Sequence, residues 1–230
     1  MSSHRLPGKV LRVLAGAPMI LRQIERVRRA RRIDSMIVAT SDDRSDDVLA
    51  DVLAGAGVDL FRGPLDDVLG RYVGALDSFG PADHVVRLTG DCPLADPDVI
   101  DAVIARHLES GADYTANTWG KRTFPKGLDV DVVTTAALRE ADAETVDPYD
   151  REHVLPFVYG RPARYRLQGL TQPAEEGDVR WTVDLPDDYT FVSAVYDGLY
   201  PGDPAFSSQD VRQFVLGRVD LAHLGGERRV

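Results

Sequence analysis

The sequence predicts an α/β domain built as a doubly wound, mostly parallel sheet with helices on both faces. Three observations carry that prediction. Short apolar runs alternate with stretches whose apolar residues recur at helical spacing. Turn formers such as Gly, Asp and Ser punctuate the boundaries between them. A chain of 230 residues, 43% hydrophobic, is also long enough to cover a sheet with helices around a buried core.

The elements follow in order. Residues 18–30 place Ile20, Ile24 and Val27 at helical spacing with Arg and Glu between them. Residues 35–40 are a short apolar run ended by Ser41-Asp-Asp43, a buried strand followed by a loop or cap. Residues 46–56 read as a helix stopped by Gly57, 58–61 as a strand, 66–79 as a helix and 84–88 as a strand. A helix over 98–108 precedes a strand at 114–117. Around 119–133 the pattern changes. The turn residues Gly120, Pro125 and Gly127 separate stretches of β-branched alternation, which predicts a small, hairpin-like β excursion off the sheet. Helices are expected over 135–143 and 150–159, late strands over 164–170 and 179–183, and closing helices over 187–200 and 208–216. With no internal repeat and no interdomain linker, residues 1–230 are expected to form a single domain. One feature is out of order: a doubly wound domain normally opens with a strand feeding the nucleotide loop, and here the loop-like segment comes first.

Composition narrows the function. The formal net charge of −10 argues against non-specific nucleic-acid binding, which needs a basic face to displace counterions. No window approaches the roughly 18 apolar residues of a membrane span, and no apolar stretch of a signal peptide follows Met1, so a cytoplasmic protein is expected. The single cysteine, Cys92, rules out an intrachain disulfide and suits a reducing compartment.

Against that acidic background, Arg5-Leu-Pro-Gly-Lys9 stands out. Pro7 and Gly8 make a tight turn that presents backbone N–H groups, and the flanking cations suit a polyphosphate. Neither a Walker loop nor a GxGxxG motif is present. A second constellation, Arg87-Leu-Thr-Gly-Asp91-Cys-Pro-Leu94, follows an expected strand. Strand carboxyl ends form the ligand crevice of open α/β sheets, and Asp91 there is suited to hold Mg²⁺ against phosphate oxygens. Its competing role as a helix N-cap is weakened because Pro93 and Asp96-Pro97 place the next helix later. Third is Trp181-Thr-Val-Asp184-Leu-Pro-Asp187-Asp188-Tyr189, where Asp187 and Asp188 suit the first turn of a helix and Asp184 is left for a metal. Between these lie Asn117, Lys126, Asp129, Arg151 and His153. Lys126, Arg151 and His153 are candidates to neutralise an anionic acceptor, and each reads equally well as a surface residue. Cys92 is expected to be a buried small residue rather than a nucleophile.

Taken in this order, the stretches at residues 2–10, 87–94, 123–131, 151–154 and 182–189 resemble the cytidylyltransferase family that makes CMP-activated acid sugars, and within it the spore-coat polysaccharide biosynthesis branch. The resemblance spans nearly the whole chain. It implies a nucleotide-diphospho-sugar transferase-like fold and Mg²⁺-dependent transfer of CMP from CTP to a sugar acid, with release of pyrophosphate. It further implies that Arg5 and Lys9 hold the CTP phosphates, with Ser2, Ser3, Gly8, Arg87, Thr89 and Gly90 also on the nucleotide. Asp91 and Asp184 would hold Mg²⁺, and Asn117, Lys126, Gly127, Asp129, Arg151 and His153 would face the acceptor. Residues 117–160 would form an acceptor-binding and dimerisation excursion of a homodimer.

Two departures from the family pattern are visible. Family members open with a hydrophobic strand ending in Ala-Arg, absent here, and Met1 coincides with a methionine inside the motif. We expect an internal start codon; an intact mass of the native protein beginning at Met1 would overturn that expectation. His4 stands where a small hydroxyl residue is typical. The alternatives are a glycosyltransferase, for which Asp129-Val-Asp131 formally supplies an Asp-x-Asp motif, a sister nucleotidyltransferase with another base or acceptor, and a non-catalytic nucleotide-binding homologue.

Overall fold

The computed structural model describes residues 5–230. A two-residue hairpin comes first, β1 (Val13–Leu14) and β2 (Ala17–Pro18), turning through Ala15 and Gly16, both at positive φ. Then follow α1 (Met19–Val27), β3 (Ile37–Ser41), α2 (Asp47–Gly55), β4 (Asp59–Gly63), α3 (Val68–Phe79), β5 (His84–Arg87), α4 (Pro97–Ser110) and β6 (Tyr114–Ala116). The second half carries β7 (Asp131–Thr134), α5 (Thr135–Glu144), α6 (Pro148–His153), α7 (Pro156–Tyr159), β8 (Leu167–Gly169), α8 (Pro186–Leu199), α9 (Ser208–Leu216) and α10 (Val219–Ala222).

β3 and β4 pair in parallel, and a four-stranded sheet runs β5-β7-β6-β8. β5, β6 and β8 point the same way, and β7 runs against both of its neighbours. Helices cover both faces, as neighbouring strand residues show. Val86 and Val132 pack with Ile100, Val103 and Ile104 of α4, whereas Val85 and Val133 pack with Leu69 of α3, Leu138 of α5 and Phe157 of α7. That two-sided burial is why each of these strands carries two adjacent valines, one for each face. A third cluster gathers the fully buried Trp181, Phe191, Val192, Val195, Val211 and Val215 around α8 and α9.

The β excursion expected at 119–133 takes another course. Its last residues form β7, inserted in the sheet between β5 and β6 rather than standing off it. Burial on both faces, not a local turn, dictates that placement. The helix expected over 150–159 breaks at Val154, which takes φ 75° just before Leu155-Pro156 and so divides α6 from α7. Residues 179–183 form no strand ladder; they carry one parallel bridge, Arg180 to Lys126, and bond to Asp91 and Arg228 through the Val183 and Arg180 N–H groups.

Among the described residues, the sheet is interrupted between β3 and β5. Among these residues β3 pairs with β4 alone and β5 with β7 alone, and a largely apolar groove of about 810 Å³ lies between them. Ile37, Val38, Val85 and Val86 line it, with Val10 and Ile24 from the amino-terminal part. The side-chain oxygen of the buried Gln23, at the groove wall, has no hydrogen-bond partner among the described residues.

Candidate active site

Three chain segments meet at one point. The loop 5–8 leads into a short 3₁₀ turn, Lys9–Leu11, through Gly8 at φ 65°, a conformation glycine adopts without steric cost. Buried Leu6 anchors that loop in the core beside Leu14 and Trp181. Asp91 follows β5. Asp184 ends the stretch that crosses under the loop, and the two are stitched together by the Val183 N–H donating to the Asp91 carbonyl at 2.8 Å. Gly127 makes that crossing possible. At φ 109°, its missing Cβ would stand 2.6 Å from the Thr182 backbone nitrogen.

The Lys9 ammonium sits between the two carboxylates, 3.0 Å from Asp91 Oδ2, 2.9 Å from Asp184 Oδ1 and 2.8 Å from the Val183 carbonyl. Burial would lower its pKa, but the charges and hydrogen bonds of Asp91 and Asp184 prevail and raise it. Asp184 responds in kind. Burial would raise its carboxyl, and Lys9, Arg180 and Arg5 together bring it below the ordinary aspartate value. Arg5 lies 3.3 Å from Asp184 with a side chain 62% exposed, so this cation projects toward solvent at the mouth of the site.

This arrangement tests whether the residues fit a divalent ion. Two carboxylates and a carbonyl already surround one cation, the Lys9 ammonium, and oxygen ligands of this kind suit Mg²⁺. The donor set therefore fits. Asp91 is not spent on capping: Asp96 caps α4, accepting from the N–H groups of Asp98 and Val99. Asp188 is spent, as its position in the first turn of α8 suggests. It accepts from the N–H groups of Asp184 and Leu185 and from Arg180.

Beside this cluster opens a pocket of about 370 Å³. Thr89 joins the two, lining the pocket while its hydroxyl donates to Asp91 Oδ1 at 2.7 Å. The aromatic rings of Tyr114, Trp119, Tyr149 and Tyr159 form much of its wall. Its charges come in pairs. Arg122 grips Asp129 through two hydrogen bonds of 2.6 and 2.8 Å, and Arg87 meets Asp131 at 3.0 Å. Burial raises the Asp131 pKa, against the pull of Arg87 and the Tyr114 hydroxyl, which donates to it at 2.7 Å.

The structure thus brings together Arg5, Gly8, Lys9, Asp91 and Asp184 in one cluster, and Arg87, Thr89, Asp129 and His153 in the adjoining pocket. Gly90 borders the groove between β3 and β5. Ser2 and Ser3 lie outside the described residues. Other acceptor candidates are engaged elsewhere. Asn117 is fully buried and bridges the Leu128 carbonyl and the Val130 N–H. Arg151 clamps Asp67 at 2.8 and 2.6 Å and Asp142 at 2.8 Å, fastening α6 to α3 and α5. Neither Arg151, Lys126 nor Gly127 lines the pocket. Arg122 and the aromatic wall went unread in the sequence, since those rings are scattered along the chain from Tyr114 to Tyr159, and Asp131 was read there only as part of a formal Asp-x-Asp motif. Cys92 is buried, and desolvation with the nearby Asp91 charge pushes its thiol well up, so it is inert as a nucleophile.

Comparison with known proteins decides the family. The cytidylyltransferase family model matches residues 1–194. The chain belongs to the cytidylyltransferase family. It is similar to the spore coat polysaccharide biosynthesis protein SpsF of Bacillus subtilis, 34% identical over 203 residues that cover 85% of this chain and 82% of that protein. A 3-deoxy-manno-octulosonate cytidylyltransferase of Anaeromyxobacter dehalogenans is 42% identical over 101 residues, 44% of this chain and 40% of that one. Among solved structures, a cytidylyltransferase from Leptospira borgpetersenii superposes with a TM-score of 0.89 at 26% identity, covering 96% of this chain and 92% of that one. The fold of a CMP:2-keto-3-deoxy-manno-octonic acid synthetase complexed with CTP also matches, with a TM-score of 0.62 at 18% identity over 86% of this chain and 95% of that one. The family is one of nucleotidyltransferases with a Rossmann-like fold. No described helix is long and apolar enough to cross a membrane.

Proposed function

We propose that this cytidylyltransferase transfers CMP from CTP to a 2-keto sugar acid, supplying an activated sugar for a cell-surface, spore-coat or specialised glycan. The observation that carries the reading is the convergence of Asp91 and Asp184 on one cation, next to a pocket of sugar size walled by aromatic rings. An acceptor hydroxyl attacks the α-phosphorus of CTP, the bond to the bridging oxygen breaks, and pyrophosphate leaves. Such chemistry rests on positioning and charge stabilisation.

Asp91 and Asp184 are the residues to hold Mg²⁺, which when bound would polarise the phosphate oxygens. Lys9 moves from the carboxylates to the phosphates as substrate arrives, and Arg5 joins it from the solvent side. Together they stabilise the charge that builds on the departing pyrophosphate. The aromatic rings pack against the apolar face of the sugar and keep water out, and the Arg87 and Arg122 pairs orient its polar groups. The Asp129-x-Asp131 pattern does not act as the metal motif of a glycosyltransferase, because each carboxylate is matched by an arginine. We further assign the protein to the cytoplasm, where CTP is made, and to a homodimer joined through residues 117–160, which expose Val146 and Tyr149.

Pyrophosphate release with CTP, GTP, UTP or ATP and a panel of 2-keto sugar acids tests the reading. Magnesium-dependent release with CTP and one such acid is expected. Release with GTP alone, or with no sugar acid in the panel, would replace it with a sister transferase.

A further inference from the structure

The carboxyl-terminal residues return to the site from outside the segment that matches the family model, which ends at residue 194. Arg229, next to the last residue, is fully buried. Its backbone is woven into the stretch that carries Asp184: the Arg229 carbonyl accepts from the Trp181 indole at 2.8 Å, and the neighbouring Arg228 carbonyl accepts from the Arg180 N–H at 2.9 Å. Its guanidinium donates to the Arg180 carbonyl at 2.8 Å and to Asp188 Oδ1 at 2.9 Å, lying over the Phe191 ring.

Asp188 is the hub. Arg229 and the Arg180 Nε meet one of its oxygens; the Arg180 Nη2 and the N–H groups of Asp184 and Leu185 meet the other. Burial would raise the pKa of such a carboxyl, yet these donors bring it down to about 2. The same Arg180 Nη2 also reaches Asp184 Oδ2 at 2.9 Å. Arg180 is thus shared between the hub and the carboxylate that faces Lys9. With Arg229 gone, Asp188 would lack one of its two arginines in a water-poor place, where an uncompensated charge is costly. It would draw Arg180 toward itself and release Asp184 from its outer restraint.

We propose that Arg229 is a positioning residue: acting through Asp188 and Arg180, it aims the Asp184 carboxylate at the point now held by the Lys9 ammonium. A tail residue outside the matched region therefore tunes the site's hold on a divalent cation. The inference rests on the reading of Asp184 as a metal ligand. Partners one step removed from a metal commonly change its affinity by about 10- to 100-fold.

The test is Mn²⁺ binding, followed by the electron paramagnetic resonance of the free ion, with the full-length wild type, Arg229→Lys and Arg229→Met, alongside CTP binding in EDTA. Arg229→Met is expected to weaken Mn²⁺ about 10-fold with metal-free CTP binding unchanged, and Arg229→Lys, which keeps the charge and loses the fork, to fall between. Mn²⁺ affinities of both variants within twofold of wild type would overturn the inference, even if their melting temperatures fall. Should Arg229→Met fail to fold, the lysine variant alone decides: threefold or greater weakening supports the inference, and wild-type affinity overturns it. A wild type that binds no Mn²⁺ would overturn the metal reading, and the inference with it.

Discussion

The cluster around Asp184 and the pocket beside it are built from the same residue types and treat charge in opposite ways. In the cluster, several cations share two carboxylates, and two of them, Arg5 and Lys9, come from the amino-terminal loop and the turn it leads into. In the pocket each carboxylate has its own arginine, held through Arg122's fork or against the buried Asp131. Shared, unequal pairing leaves cations that can be passed to phosphate; matched pairing leaves a surface that selects by shape and by stacking. On the proposed reading, that difference separates a site that exchanges charge from one that recognises a sugar.

The largest effect should come from removing the exchangeable cation or its partner. Lys9→Ala or Asp91→Asn is expected to cut pyrophosphate release from CTP by on the order of 1000-fold, the scale of losing a fixed stabilising charge. Near wild-type turnover in either variant would refute the exchange. The pocket should behave differently. Trp119→Ala is expected to raise the acceptor KM by roughly 10-fold, through lost stacking of about 1 kcal/mol or more, and to leave the KM for CTP unchanged. An equal change in both would erase the contrast between the two regions.

Arg151 sharpens the comparison from outside. Because its guanidinium is bound to Asp67 and Asp142, Arg151→Ala should lower the melting temperature by several degrees and leave the acceptor KM within twofold. A large rise in that KM would return Arg151 to the acceptor site. The smallest effect is one of acid stability at the far side of the sheet. His107 is buried, donates or accepts at Thr115 and His84, each 3.0 Å away, and has its pKa lowered from 6.5 to about 4 by burial and by His84. A folded-state pKa below the unfolded one means the unfolded chain binds the extra proton first. Stability is then complete above about pH 6.5 and declines as the pH falls toward 4. Urea titrations across that window should show the slope, and His107→Gln should flatten it.

The legible part of the molecule was what local sequence dictates. Helices with clear apolar spacing, such as residues 18–30 and 187–200, came within a few residues of α1 and α8. Asp91 stood apart from its helix because Asp96 and Pro97 so plainly open α4. The four-residue strand β7 misled because its alternation suits a hairpin as well as a sheet interior, and only the faces it meets distinguish the two. Val154 gave little warning of its left-handed turn beyond Pro156.

By residue type, Arg5 to Lys9, Asp91 and Asp184 pointed to phosphate and a metal, and the resemblance of five stretches in their order along the chain pointed to the cytidylyltransferase family. The tertiary structure alone decided which charges pair. It set Lys9 between two aspartates 82 and 175 positions away, gave Arg122 and Arg87 their own carboxylates, took Arg151 out of the pocket and brought Arg229 to Asp188. Pairing depends on distance and burial, and over such separations in the chain neither is written in the local sequence.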